Sequence, residues 1–422
     1  MVELKFNRLK NSLAVLTVPM PGTSATTVLT MVKAGSRLEN NNQQGLSHLL
    51  EHMLFKGSKN YPTARELTQV LDSVGAEYNA FTSKEYTGYY IKTAARHLPL
   101  ALRVQADMIS RPIFDKSELD KEKKVVAEEI NMYQDNPVMF IGDLLEQELF
   151  KGSSLAPLIS GSKKSVAALN HKQLVSYWRS NYQAKNMVVV VAGRLPDNLK
   201  KLMSDNFNHL PKQGQPAIYK NFKPSYTSAR SALSYKETEQ VQLALGFPSV
   251  GSGDKLLPAI KLMSIIMGGN MSSRLFMRLR EQEGLCYSVR VDVESYQATG
   301  LVGIMAGLDK SRLPRALALI KEELNLLVTK GVNSAELNKA KEYIKGSLTL
   351  LMENSARQAE WQARRYLLDK SLKTWPDYLR EFEAVTTMDI SLAAKQVFNF
   401  SRLTLALIGP FRAAKALLKN IV

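Results

Sequence analysis

Close to its midpoint the chain changes texture. Residues 209–216, His-Leu-Pro-Lys-Gln-Gly-Gln-Pro, are punctuated by proline and glycine, and residues 219–230 beyond them are polar and basic. Backbone of that kind sustains neither a helix nor a ladder, so it reads as a linker. A break there divides 422 residues into two pieces of about 200 residues each, an ordinary domain size, whereas one core of double that length is not. The expected organisation is a first domain over 1–210, a linker over 211–230 and a second domain over 231–422.

The two halves echo one another, which points to duplication. In the first, residues 28–32 and 89–92 read as strands, and 45–55, 64–74, 98–109 and 117–133 as helices, with Asp135-Asn136-Pro137 stopping the last. Residues 187–192 are a continuous apolar run, the mark of a strand buried on both faces. In the second half a strand at 241–247 precedes a helix at 256–267 that ends in Gly268-Gly269, much as the helix at 45–55 ends by Gly57. Glu118-Leu119-Asp120-Lys121 is echoed by Glu336-Leu337-Asn338-Lys339. Laying Gly57 over Gly269 sets His48, Glu51 and His52 opposite Ile260, Met263 and Ser264, and laying the later helices together sets Glu122 and Glu129 opposite Ala340 and Ser347. Only the first copy carries the polar cluster. A copy that keeps the fold without those groups suggests that they serve chemistry.

His48, Glu51 and His52 stand at i, i+3 and i+4, so on a helix they share one face. Two imidazoles one turn apart can grip a single zinc ion, and the carboxylate between them can reach a metal-bound water as general base. This H-x-x-E-H order is the inverzincin pattern. The competing reading is a solvated helix face with incidental histidines. Two of only five histidines fall here, however, and the flanking Leu46, Leu49, Leu50, Met53, Leu54 and Phe55 are apolar. The helix is therefore largely buried, and buried imidazoles need partners. A hydrolytic zinc expects a third protein ligand. The helix at 117–133 offers Glu122, Glu128 and Glu129. Glu122 and Glu129 lie two turns apart on one side, with Glu128 about 100° away. Glu129 is the expected third ligand, and Glu122 a carboxylate that orients a ligating histidine.

The formal net charge of +17 raises the question of an anionic partner, but the basic residues are dispersed and interleaved with acids. No nucleic acid is expected as a partner. Nor is a membrane, since no run approaches the roughly 20 apolar residues of a spanning helix. Residues 13–20 are apolar and follow a basic start, yet Glu3 and the lack of a small-residue cleavage site favour a first strand closed by Pro19 over a secretory leader. Cys286 is the single cysteine, which excludes an internal disulfide and a thiolate metal cluster and gives a cytoplasmic expectation.

The residues 45–57, Gly-Leu-Ser-His-Leu-Leu-Glu-His-Met-Leu-Phe-Lys-Gly, with 75–82, the Glu122-to-Glu129 segment and the 273–288 segment around Arg280 and Tyr287, resemble the pitrilysin, insulinase and mitochondrial processing peptidase family of zinc endopeptidases. The nearest likeness is to its short bacterial, processing-peptidase branch. The resemblance implies an α/β (α+β) fold of two related domains, each a mixed, mostly antiparallel sheet with packed helices, together forming half of a clamp. It implies one zinc per chain on His48, His52 and Glu129, Glu51 as general base and Glu122 behind the ligands. Arg280 and Tyr287 would hold the substrate backbone or stabilise the oxyanion, and the segment Asn79, Ala80, Phe81 and Thr82 would pair as an edge strand with an extended peptide. Without the resemblance, Arg280 reads equally as a salt-bridge partner of Glu281 or Glu283, Tyr287 as a core aromatic and Asn79 as a turn residue. The implied activity is hydrolysis of peptides or unfolded segments in an enclosed chamber. A homodimer is the economical assembly, with a heterodimer as the variant seen in some relatives. The alternative is a catalytically silent member acting as a scaffold or partner subunit; such proteins usually lose a ligand or the base, and here all are present.

Overall fold

The computed structural model describes residues 3–211, 217–222 and 224–413, with Leu418 and Ile421 beyond them. Residues 212–216 and Lys223, within the expected linker, lie outside the described residues. The strands are β1 Lys5–Arg8, β2 Ala14–Pro19, β3 Ala25–Val32, β4 Glu77–Thr82, β5 Thr87–Ala94, β6 Met187–Gly193, β7 Arg230–Tyr235, β8 Gln240–Ser249, β9 Cys286–Ser295, β10 Gly300–Asp309 and β11 Thr404–Gly409. The helices are α1 Leu46–Leu54, α2 Ala64–Asp72, α3 Leu98–Ser110, α4 Lys116–Asp135, α5 Pro137–Leu149, α6 Lys163–Ala168, α7 His171–Asn181, α8 Leu199–Phe207, α9 Leu257–Gly268, α10 Leu313–Lys330, α11 Ser334–Leu351, α12 Ser355–Asp369, α13 Trp375–Glu383 and α14 Thr387–Val397. Among the described residues no helix is long and apolar enough to cross a membrane.

The fold is α/β (α+β) with two mixed sheets, and the order of strands repeats. The first sheet runs β1-β2-β6-β3-β5-β4 and the second β7-β11-β8-β10-β9. In the first, β2 pairs parallel to β6 and every other pairing is antiparallel. In the second, β7 pairs parallel to β11 and the rest are again antiparallel. Apart from β1 the two topologies coincide strand for strand, which is what a duplicated unit leaves behind. The central β6, Met-Val-Val-Val-Val-Ala-Gly, is buried along its whole length. That fits a β-branched run covered on both faces.

The two compact units are not contiguous in sequence. One comprises 1–130, 157–219 and 348–376, the other 131–156, 220–347 and 377–422. Helix α12, from the later part of the chain, lies in the first unit, where Ala359, Ala363, Tyr366 and Leu367 join Leu16, Leu29, Met31, Val188 and Val190 in one apolar cluster. Helix α5, from the earlier part, lies in the second unit, where Ile141, Leu145 and Leu149 pack with Ala244, Leu301, Ala406 and Ile408. The stop at the end of α4 is therefore also a start. Asn136 caps α5 by accepting from the backbone N–H of Val138 and Met139, and Pro137 sits in its first turn, where its missing N–H costs nothing.

On its other face the first sheet is covered by α1 and α3, through Leu46, Leu49, Leu50, Met53, Leu98, Leu102 and their neighbours. This layer presents the site. In the second unit four counterparts of the first unit's polar cluster are packed instead, Ile260, Met263 and Ser264 of α9 and Ala340 of α11, while Ser347, opposite Glu129, is exposed.

Candidate metal centre

Helix α1 is built from good helix formers, Leu-Ser-His-Leu-Leu-Glu-His-Met-Leu, with no β-branched residue. Its first turn begins at Gly45, whose φ of +90° is strained for any other residue and whose missing Cβ would stand 2.6 Å from the Ser160 carbonyl oxygen. The early N–H groups that a helix leaves open are taken by the Glu39 carboxylate, which accepts from Gly45 N at 2.8 Å and from Ser47 N at 2.6 Å. Ser47 reaches the buried Tyr177 hydroxyl at 2.8 Å. With Leu46, Leu49, Leu50, Met53 and Leu54 buried in the core, His48, Glu51 and His52 project from the remaining face.

Helix α4 supplies the opposing wall. Its buried stripe is Leu119, Glu122, Val126 and Ile130, and Glu129 borders it. Two carboxylates two turns apart thus sit at or beside positions where a helix of this period buries apolar groups. Glu128 is exposed and points elsewhere.

The ligand atoms converge. His48 Nε2 and His52 Nε2 are 3.4 Å apart, and Glu129 Oε2 is 3.6 Å from each of them. These separations exceed the about 2.7–3.2 Å of an ordinary N–H···O bond. They match the edges of a tetrahedron whose bonds to its centre are about 2.2 Å, close to the zinc–nitrogen and zinc–oxygen values. The donor set, two imidazole nitrogens and a carboxylate oxygen, is the set a borderline-soft divalent ion takes. The three side chains are 12%, 22% and 26% exposed for His48, His52 and Glu129, so the group is sheltered yet reachable. Among the described residues this is the one group of His, Cys, Asp and Glu side chains that could hold a metal ion.

Electrostatics separate the two imidazoles. Burial, reinforced by the neighbouring His52, lowers His48 to about 4. Burial also pulls His52 down, but its hydrogen bond to Glu122 and the adjacent Glu129 carboxylate outweigh it and raise that ring to about 9. Glu129 is held below the usual carboxylate range by the His52 ring beside it, against burial, with His48 assisting. Burial pushes Glu122 up, but His52 and Lys56 together bring it below its ordinary value. Glu122 Oε2 lies 3.1 Å from His52 Nδ1, which sets the ring so that Nε2 faces Glu129 and His48.

Glu51 is raised by burial, in opposition to a hydrogen bond from Thr82. That bond runs from the Thr82 hydroxyl, at the end of β4, to Glu51 Oε2. Among the described residues strand β4 is the last strand of its sheet and pairs with β5 alone. Asn79 is exposed on it and Ala80 and Phe81 are half-buried, so Asn79 is a strand residue and not part of a turn. The Phe81 ring lies over Gly88 of β5, where a Cβ would stand 2.3 Å from it.

Arg280 and Tyr287 belong to the second unit and meet each other there. Arg280 lies on a π-helical turn, Phe276–Gln282, and its guanidinium stacks 4.8 Å from the Phe276 ring and 4.9 Å from the Tyr287 ring. Its distance to Glu281 is a loose 3.8 Å. Tyr287 is 77% exposed, which rules out the core position that its residue type suggests. Two contributors escaped the motif reading, Glu39 and Lys56, whose Nζ is 2.5 Å from Glu122 Oε1; Thr82 was expected in the edge strand but not as a partner of Glu51. The available signal for Lys56 was its place one turn beyond His52.

Comparison with known proteins matches residues 14–162 to the family described as insulinase (peptidase family M16) and residues 168–344 to the peptidase M16 inactive domain. An uncharacterized zinc protease of Bacillus subtilis (strain 168), YmxG, is 35% identical over 379 residues, covering 90% of this chain and 91% of that protein. An uncharacterized zinc protease of Rickettsia felis is 32% identical over 410 residues, 97% of this chain and 98% of the relative. Among solved structures, a protease from Helicobacter pylori superposes with a TM-score of 0.90 at 24% identity, covering 97% of this chain and 100% of that one. A peptidase M16 inactive domain from Pseudomonas fluorescens superposes with a TM-score of 0.89 at 21% identity, covering 98% and 99%. At those identities the structural likeness is one of fold.

Proposed function

This chain belongs to the insulinase family of peptidases, M16, and from that premise we propose that it is a zinc-dependent endopeptidase acting on peptides and unfolded polypeptide segments. The observation that carries the reading is the triangle of His48, His52 and Glu129 ligand atoms with edges of 3.4 to 3.6 Å, and Glu51 on the same helix face. A zinc ion there supplies a Lewis acid and lowers the pKa of water toward about 7. His48, His52 and Glu129 hold the ion, and Glu122 fixes the ring of His52. Glu51 accepts the proton of the attacking water and returns it to the departing amine. Its raised proton affinity suits a group that must pick up a proton and give it back.

The substrate enters in extended form, pairing with the backbone of Asn79, Ala80 and Phe81 along the open side of β4, as peptides add to sheet edges elsewhere. Arg280 and Tyr287 hold the peptide backbone or stabilise the oxyanion. The chain works as half of a clamp, and two copies close around a chamber that admits flexible polypeptide. The lone cysteine fits a cytoplasmic setting.

The test is cleavage of a quenched fluorescent peptide library with metal analysis of the same samples. The wild-type chain cleaves, stops on chelation and recovers with zinc. Glu51→Gln keeps its zinc and loses at least about 10²-fold in rate. Cleavage that survives chelation, or undiminished turnover by Glu51→Gln, overturns the mechanism. A zinc-loaded wild-type chain that cleaves nothing in the library favours a silent, scaffolding member.

A further inference from the structure

Helices α1 and α4 face one another through an alternating series of charges. Down α1 come His48 and His52, one turn apart, and Lys56 follows just beyond the helix end. Down α4 come Glu129 and Glu122, two turns apart. Glu129 Oε2 sits 3.6 Å from both His48 Nε2 and His52 Nε2. Glu122 Oε2 sits 3.1 Å from His52 Nδ1, and Glu122 Oε1 sits 2.5 Å from Lys56 Nζ. Both oxygens of Glu122 are therefore engaged, one by the ring behind the metal group and the other by the ammonium.

Glu122 has a side chain only 6% exposed, whereas Lys56 is 26% exposed. A buried carboxylate on a flexible stem has several rotamers, and only some of them keep an oxygen on His52 Nδ1. A carboxylate that turned away would leave His52 Nδ1 without its acceptor and free the ring to turn. Engaging the second oxygen from the far side blocks that motion. The geometry points to Lys56 as a positioning residue for the metal group: it pins Glu122 so that His52 presents Nε2 to the ion. This rests on the reading of His48, His52 and Glu129 as a zinc site.

The competing account is purely structural. Lys56 follows the last turn of α1, and its backbone N–H closes onto the Met53 carbonyl at 3.2 Å, so its charge could simply favour the helix end. The two accounts differ in what happens when Glu122 is already disabled. The experiment measures zinc affinity of the full-length chain by competition with a chromophoric chelator. The variants are Lys56→Met, Lys56→Arg, Glu122→Gln and the double Lys56→Met/Glu122→Gln, with thermal unfolding of the zinc-free proteins recorded in parallel.

Lys56→Met should weaken zinc binding about tenfold, at the lower end of the usual effect of removing an outer partner, and Lys56→Arg should restore most of it. In the double variant the Lys56 change should add nothing to the loss from Glu122→Gln, since residues acting through one another are not additive. If Lys56→Met folds poorly, Lys56→Gln carries the same comparison. An equal loss in both backgrounds, or no loss in the wild-type background, overturns the role given to Lys56. A wild-type chain that binds no zinc at all overturns instead the metal-site reading beneath it.

Discussion

Zinc taken up by the His48–His52–Glu129 group should displace one proton from the imidazole pair, and its affinity should follow pH accordingly. His48 titrates near 4 and is already neutral in weak acid. His52 titrates near 9 and still carries its extra proton there. Coordination through His52 Nε2 requires that proton to leave, while Nδ1–H stays to donate to Glu122. Between about pH 5 and 6.5 the proton and the ion therefore compete one for one, and the dissociation constant should fall tenfold per pH unit as pH rises, about 1.4 kcal/mol per unit. The measurement belongs in the Glu51→Gln chain, where the base cannot add a proton of its own, and stays below the range in which water on zinc ionises. Calorimetry in two buffers of different ionisation enthalpy counts the protons directly. Adding Glu122→Gln removes the hydrogen bond that holds His52 high, so the count should drop below one in the upper part of the range. A count near zero, or near two, in the Glu51→Gln chain would refute the division of labour between the two rings.

Two further outcomes are expected. Glu129→Gln should lose most of its zinc by metal analysis after desalting while Glu128→Gln keeps it; full retention by the Glu129 variant would move the third ligand elsewhere. Glu39, half-buried beneath the first turn of α1, is raised from 4.5 to about 7 by burial, against the backbone donors of Ser47 and Gly45. The folded state thus favours its neutral form, so its contribution to stability is full below about 4.5 and fades as pH rises to about 7, by at most about 3 kcal/mol. Glu39→Gln should flatten the change in urea midpoint between pH 5 and 8, and an unchanged slope would show that another group is responsible.

Much of the site was legible because helical period is a strong constraint. The i, i+3, i+4 spacing put His48, Glu51 and His52 on one face, and the seven-residue spacing put Glu122 with Glu129. What period cannot supply is the identity of the neighbour. The sequence reading names no helix over 137–149 or 355–369, and an apolar stripe there would not say which sheet it covers, since Leu145 and Ala363 carry no label for a partner. Tyr287 shows the same limit from another side. Aromatic rings are usually buried, and only its place beside the Arg280 guanidinium explains one left in solvent. The contacts of Lys56 and Thr82 were invisible for a related reason: each is made across the fold, and a single polar residue at the end of a helix or strand is unremarkable in a sequence.

The placement of α12 has a consequence for how the protein is made. The strands of the first sheet are complete in sequence once Gly193 has been synthesised, but the helix that covers Leu29, Met31, Val188 and Val190 begins only at Ser355. During all the intervening translation one apolar face of a finished sheet has no native cover. The nascent chain must therefore keep that face from sticking to its neighbours, by delay, by provisional packing or with a chaperone, until the late helix emerges from the ribosome.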